Sequence, residues 1–161
     1  MKLYLRKKKS LMGSQDYHIE DDRGKEIYDL DASDFISQKI RIRDRKNNLA
    51  AEVREEHGLV TKYGVYVDGC KVLEVKKGLN PVRDKYKIEG TGWEVRTRLI
   101  GDGYEIKDGG RTVAEVKPKQ RSSKEFYEIA VDDIRDQLQV VGLVVAIEYG
   151  LEEIHVDKKD D

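Results

Sequence analysis

The sequence is poor in the residues that mark several common classes of protein. It has 1 Cys and 2 Pro among 161 residues, and its 31 Lys and Arg are balanced by 32 Asp and Glu. Because Cys70 has no second cysteine to pair with, an intramolecular disulfide framework is excluded, and we expect a reducing, cytoplasmic compartment. The balanced charge argues against a dominant basic field, so a nucleic-acid partner is unlikely from the sequence.

The sequence also lacks an apolar run long enough to cross a bilayer. The uncharged stretch Leu138–Ile147 is ten residues long, whereas a transmembrane helix needs about 20. The basic segment 1–10 lacks the apolar stretch of a secretory signal. We therefore expect no transmembrane span and no signal. With 38% hydrophobic residues the chain can still build a core, and its length predicts one domain over residues 1–161.

Charge is distributed along the chain in blocks of alternating sign. Residues 1–12 carry five basic side chains and no acid, and residues 13–34 carry eight acids and two bases. Residues 35–48 return to five bases and one acid, and the chain from Asp132 onward has nine acids and three bases. Such blocks are either solvated faces that pair with one another in the fold or a basic patch that meets an anionic partner.

Alternation of apolar and polar residues as far as residue 131 predicts about eleven or twelve strands joined in hairpins. Val65 and Val67, for example, alternate with polar residues and lead into Asp68-Gly69. An Asp-Gly pair between alternating runs predicts a type I′ turn, because both central residues of that turn need positive φ. Since an open meander exposes its edge strands, we expect a mainly β fold in the form of a closed antiparallel barrel.

The period of the sequence changes after residue 131. Asp132 or Asp133 can cap a helix, and Ile134 and Leu138 form the apolar side of its first turn. A buried strand is an alternative, since Val and Ile are mediocre helix formers, but length and the capping acids favour a helix over about 132–149. An acidic tail then covers 150–161.

A segment that is apolar on every side belongs inside a core, so this helix is predicted to fill the lumen of the barrel. Gly142 would mark a close approach to the surrounding wall. The predicted core side chains of the helix are Val140, Val141, Leu143, Val144, Val145 and Ile147.

Three segments carry a resemblance to a known family. They are Leu3-Tyr4-Leu5-Arg6, the hairpin Tyr17-x-Ile19-x-Asp21-x-x-Gly24-Lys25-x-Ile27-Tyr28, and Asp132 followed by Val140–Ile147. In this order the chain resembles the LURP-one-related family of the tubby C-terminal-like superfamily. The resemblance implies a twelve-stranded barrel around a central helix, as in tubby proteins and phospholipid scramblases. Glu148 stands where relatives often have Asp, and the proline-rich arm and cysteine cluster of scramblases are absent, so scramblase activity is not implied.

No catalytic or metal-binding spacing is found in the sequence. His18, His57 and His155 are far apart and form no HxxxH pattern, and nothing resembles a nucleophile elbow. We therefore predict no catalytic residue, no metal site and no cofactor. Cys70 is expected to be a small buried residue rather than a redox thiol.

Basic residues at alternate positions are the strongest binding signal. They are Lys39, Arg41, Arg43, Arg45, Arg96 and Arg98. Residues two apart in a strand share one face, so the first four are expected on one face and the last two on another. Tubby proteins hold phosphoinositide head groups with a Lys-x-Arg pair on the barrel, and Lys39-x-Arg41 has that form. A solvated outer face explains the same residues.

Three functions follow from these observations. The leading hypothesis is a non-catalytic cytoplasmic barrel that binds an anionic phospholipid head group or a protein partner through its outer surface. The second is a small-molecule carrier or enzyme that uses the barrel ends, with Tyr and Arg side chains as contacts. The third, by analogy with tubby proteins, is a transcription-associated scaffold. None of the three fixes an oligomeric state.

Overall fold

Twelve strands make up most of the described part of the chain. The computed structural model describes residues 1–8, 16–31, 39–80, 84–98, 102–121 and 124–151. The strands are β1 Lys2–Lys8, β2 Asp16–Glu20, β3 Glu26–Asp31, β4 Lys39–Asp44, β5 Leu49–Glu56, β6 Lys62–Val67, β7 Cys70–Asn80, β8 Asp84–Glu89, β9 Trp93–Thr97, β10 Tyr104–Asp108, β11 Arg111–Arg121 and β12 Lys124–Val131.

These strands form one antiparallel meander that curls into a barrel. Consecutive strands pair with each other from β1 to β8 and from β9 to β12, and β1 also pairs with β12. The two edge strands of this sheet, β8 and β9, lie side by side, so the barrel is nearly closed. The predicted twelve-stranded antiparallel barrel is confirmed.

The two ends of the barrel differ because the connections of an antiparallel meander alternate between them. The hairpin end has tight turns after β2, β4, β6 and β10, and the C-terminal helix starts there. In one of these turns Asp68 has φ 52° and Gly69 has φ 76°, as expected for a type I′ turn. The loop end has the connection 57–61, the last residues of β7 and the end of the helix.

One helical segment follows β12 and runs through the barrel. The Asp133 carboxylate caps its start by accepting the backbone N–H of Arg135 at 2.9 Å. A 3₁₀ turn, Ile134–Asp136, leads into α1, Gln137–Val145, and the chain continues in wider π-helical turns over Ala146–Leu151. The helical segment is therefore two residues offset from the predicted 132–149, and residues 152–161 of the predicted tail lie outside the described residues.

The helix forms the centre of the hydrophobic core. Every residue from Val140 to Ile147 that has a side chain is fully buried, and α1 packs against β5, β6 and β11. Gly142 lies against β6, where a Cβ atom would overlap the side chain of Val65. At Gly150 an added Cβ would lie 2.9 Å from the Tyr63 ring. Glycine at these positions lets the helix approach the wall closely.

Ile134, expected on the apolar side of the first helical turn, and Cys70, expected to be buried, both lie at the surface. Ile134 is 72% exposed, because it belongs to the 3₁₀ turn before α1 and lies outside the barrel. Cys70 is exposed as a free thiol, because it directly follows the turn at the hairpin end. The expectation of a buried Cys70 is therefore wrong.

Candidate functional site

Strand β4 presents three of the predicted basic residues on the outer wall. Lys39, Arg41 and Arg43 occupy alternate positions, and Ile42 between them is fully buried. Arg45 was expected on the same face but lies in the turn that follows the strand. The turn begins because the Asp44 carboxylate accepts the backbone N–H groups of Lys46 and Asn48, both at 2.9 Å.

Acidic residues on both neighbouring strands face these cations. The register places Arg41 opposite Asp31 of β3 and opposite Glu52 of β5. The Glu52 residue is buried, and one of its carboxylate oxygens lies 3.9 Å from Lys39 Nζ. The same oxygen accepts a hydrogen bond from Arg54 Nε at 2.5 Å. Cross-strand pairs of opposite charge therefore neutralise part of the basic stripe on β4.

The ionic network continues on the outer wall from β5 to β7. Tyr66 donates to the Glu56 carboxylate at 2.6 Å, and the Arg54 guanidinium lies 4.1 Å from the centre of the Tyr66 ring. Lys71 Nζ bridges Glu56 and Glu74 at 2.8 and 2.7 Å. The hydrogen bond from Lys71 is the main reason why the pKa of Glu74 falls to about 2. The sequence reasoning missed this network, whose signal was acids and bases alternating within β5 and β7.

The other predicted basic pair lies on a different part of the wall. Arg96 is on β9 and Arg98 directly follows it, so β5 to β8 separate both residues from β4. Arg98 Nη2 is 3.1 Å from the Glu115 carboxylate and 3.9 Å from that of Glu105. The predicted set therefore forms two separate basic regions, and carboxylates accompany both.

An apolar tip at the loop end was not predicted. Leu59 in the β5–β6 connection and Leu79 near the end of β7 are fully exposed, and Val60 is 55% exposed. Lys39 and Lys62, the first residues of β4 and β6, lie at the same end. The sequence signal was a Leu-Val pair within a connection that otherwise has turn-type residues.

A cavity of about 300 Å³ opens at the loop end beside the end of the helix. Its lining residues are Lys85, Tyr86, Thr97, Gly103, Tyr104, Pro118, Tyr127 and Glu148. The Tyr104 hydroxyl is buried and makes no well-formed hydrogen bond to a described residue, and the Glu148 carboxylate is an acceptor within its reach. Burial raises the pKa of Tyr104 well above its ordinary value, and the nearby charge of Glu148 adds to this effect.

A larger cavity, of about 600 Å³, lies at the hairpin end. Tyr28 and Gln137 line it, and the Gln137 side-chain amide donates to the Tyr28 hydroxyl at 3.1 Å. Burial raises the pKa of Tyr28. Arg45 and Lys46 of the β4–β5 turn are exposed at its rim, so this end also carries basic residues.

The described residues contain neither a metal-ligand cluster nor a membrane-spanning helix. Among the side chains that the structure describes, no group of three or more His, Cys, Asp or Glu residues is arranged to hold a metal ion. Within the same part of the chain, no helix is long and apolar enough to cross a membrane. His18 lies on the outer wall 2.8 Å from the Glu20 carboxylate, His57 is exposed, and His155 lies outside the described residues.

The antiparallel meander wound around a buried C-terminal helix defines a class of helix-filled barrels, which is the class that the sequence resemblance implied. The profile of the LURP-one-related family matches residues 1–148, and the chain belongs to this family. The uncharacterised protein YxjI of Bacillus subtilis is 21% identical over 134 residues, which are 82% of this chain and 83% of YxjI. An Arabidopsis thaliana protein with an X-ray structure shares the fold, with a TM-score of 0.63, 15% identity and coverage of 91% of this chain and 90% of the other.

Proposed function

We propose that this protein is a non-catalytic binding domain whose loop end docks onto an anionic phospholipid surface. Lys39 and Arg41 contact head-group phosphates, and Leu59 and Val60 enter the interfacial region. The observation that carries the proposal is the exposure of Leu59, Val60 and Leu79 at the barrel end where β4 begins. An exposed thiol at Cys70 suits a reducing compartment, so we place the interaction on the cytoplasmic side.

The physical argument combines two weak attractions. A basic residue close to an anionic leaflet contributes about 1 kcal/mol, and an exposed aliphatic side chain contributes through the apolar area that it buries among lipids. Neither attraction alone gives stable binding, but both act at the same barrel end here. Fully exposed leucines in a water-facing loop have no stabilising role in the folded barrel, which supports a contact outside the chain.

The paired acids set the strength of the proposed contact. Lys39 is 3.9 Å from Glu52, a distance that leaves the ammonium group able to turn toward a phosphate. Arg54 holds Glu52 more closely, at 2.5 Å, so Glu52 keeps a partner when Lys39 turns away. The competing explanation is a solvated outer wall whose basic and acidic residues only pair with one another. It predicts no binding to vesicles.

Flotation with vesicles tests the proposal. The protein should float to a larger extent with phosphatidylcholine vesicles that contain phosphatidylserine or a phosphoinositide than with vesicles of phosphatidylcholine alone. The double variant Lys39→Gln/Arg41→Gln should bind about thirtyfold more weakly, because two charges of about 1 kcal/mol each are lost. Its binding should also fall less steeply with salt.

Two further variants complete the experiment. Leu59→Ser/Val60→Ser should weaken binding to the same anionic vesicles, while Arg45→Gln/Lys46→Gln should bind like the parent. The second variant removes the same charge from exposed positions at the hairpin end. Equal binding by the Lys39/Arg41 variant and the parent would assign those residues to a solvated wall and end the proposal.

A second candidate function is the binding of a small molecule at a barrel end. The specific observation in its favour is the cavity at the loop end, into which several tyrosines and one carboxylate converge. This candidate does not depend on vesicle binding.

A further inference from the structure

Four separate elements bring their side chains together at the loop-end cavity. Tyr86 comes from β8, Tyr104 from β10, Tyr127 from β12 and Glu148 from the end of the helical segment. The rings of Tyr86 and Tyr104 are 6.5 Å apart, centre to centre, and are inclined at 56°. The cavity therefore has aromatic walls, one carboxylate from Glu148 and one ammonium group from Lys85.

The hydroxyl of Tyr104 marks this cavity as a place for a polar ligand. Tyr104 is 6% exposed, and its hydroxyl makes no well-formed hydrogen bond to a described residue, although the Glu148 carboxylate is an acceptor within reach. The groups whose charges act on this hydroxyl, Glu148, Tyr86 and Tyr127, all line the cavity. Tyr104 lines the same cavity. A buried polar group without a partner is unfavourable, and a ligand that hydrogen-bonds to it removes that penalty.

The chemistry of the walls selects the charge of the ligand. The face of an aromatic ring attracts cations, and a carboxylate in a partly buried site adds attraction for a cation and repulsion for an anion. Lys85 also lines the cavity, with its Nζ atom 5.5 Å from the centre of the Tyr86 ring, so a bound ammonium compound has to replace this side chain at the ring. A volume of about 300 Å³ is at the lower limit of small-molecule pockets, so the ligand is small.

We propose that the loop-end cavity binds a small organic ammonium compound. Glu148 balances its charge, the rings of Tyr86, Tyr104 and Tyr127 surround its alkyl groups, and the Tyr104 hydroxyl hydrogen-bonds to its polar end. The ammonium group can belong to a free amine or to the head group of a lipid. The site is separate from the basic stripe on β4, so its occupancy does not depend on binding to anionic vesicles.

Titration followed by NMR of the tyrosine rings tests this assignment. Choline and ethanolamine should each shift the ring signals of Tyr86, Tyr104 and Tyr127, and should leave those of Tyr28 at the hairpin end and Tyr66 on the outer wall unchanged. The neutral analogue of choline in which carbon replaces nitrogen should bind at least tenfold more weakly than choline. Absence of shifts with both amines, or equal binding of the neutral analogue, would overturn the proposal.

Three variants separate the roles of the residues. Binding is measured with whichever of choline and ethanolamine binds more tightly. Glu148→Gln should weaken it at least tenfold, because the variant loses the negative charge. Tyr104→Phe should weaken it several-fold, because the variant loses the hydroxyl. Glu89→Gln, which removes an exposed carboxylate at the hairpin end, should bind like the parent. Thermal melting checks that each variant is folded. Parent-like binding by both folded cavity variants would show that the amines bind elsewhere and contradict the assignment.

Vesicles without anionic lipid distinguish the two sources of the ammonium group. If the ligand is a lipid head group, the protein should bind phosphatidylcholine or phosphatidylethanolamine vesicles, and Glu148→Gln should abolish this binding. If the ligand is a free amine, choline or ethanolamine should bind in solution while these vesicles do not. Both results support the site, and no binding to amines or to these vesicles rejects it.

Discussion

Gly142 illustrates how one residue can fix the position of the central helix. Mid-helix glycine is unfavourable by about 1 kcal/mol relative to alanine, yet at this position an added Cβ atom would overlap Val65 on β6. Valine is stiff and Val65 is fully buried, so it cannot move aside. Glycine at position 142 therefore lowers the helix propensity but lets the helix contact the wall closely.

The contact predicts opposite effects of the same substitution in two backgrounds. Gly142→Ala in the parent should lower the free energy of unfolding, because overpacking of about 1–3 kcal/mol exceeds the helix propensity gained. In a Val65→Ala background, Gly142→Ala should raise it, because the new methyl group fills the space that Val65 vacates. Urea denaturation of the four proteins measures both effects. Stabilisation in the parent background would show that the helix is not held against β6.

The residues whose positions were predicted wrongly lie at the ends of secondary-structure elements. The alternation in β4 correctly placed Lys39, Arg41 and Arg43 on one face, but it extended that face to Arg45 because nothing in the alternation signals where the strand stops. The stop depends on the Asp44 carboxylate bonding to two backbone N–H groups. Cys70 was misplaced for a related reason, since apolar character alone does not separate a core layer from the rim of a barrel.

At the scale of elements, the sequence constrains the position of the helical segment most strongly. Its uncharged stretch made burial on every side predictable, and all side chains from Val140 to Ile147 are buried. The sequence also predicted the strands, because one face of each strand contributes to the core and the other meets water. Partners across strands could not be predicted, since the Glu52 and Lys71 pairs depend on registers and bulges that arise only when the sheet forms.

A matched pair of substitutions tests the central position of the helix. Val144→Asp should prevent stable folding, because an unpaired carboxylate in the core costs several kcal/mol. Ile134→Asp makes the same kind of change at a residue that is 72% exposed, and it should melt within a few degrees of the parent. Circular dichroism during heating reports both outcomes. A folded Val144→Asp protein that loses binding to membranes would instead identify the segment as an anchor.

At the scale of the whole molecule, the meander separates two ends with different surfaces. The hairpin end has tight turns, the larger cavity and the partly exposed Met1, Leu49 and Ile134, whereas the loop end presents the fully exposed Leu59 and Leu79 and the tyrosine-lined cavity. Sequence reasoning anticipated a role for the barrel ends but could not tell them apart. Only the direction of each strand shows which connections meet. Under the proposed function, the loop end is the surface that meets the membrane.

A fluorophore placed in turn at each end tests that claim most directly. The chain has a single cysteine, the exposed Cys70 at the hairpin end, so an environment-sensitive dye can be attached there without further change. The variant Cys70→Ser/Leu59→Cys moves the same dye to the loop end. With vesicles that contain phosphatidylserine, the dye at position 59 should shift to the blue and gain intensity, and the dye at Cys70 should not change. A shift at Cys70 alone, equal shifts at both positions, or no shift at either would contradict the account.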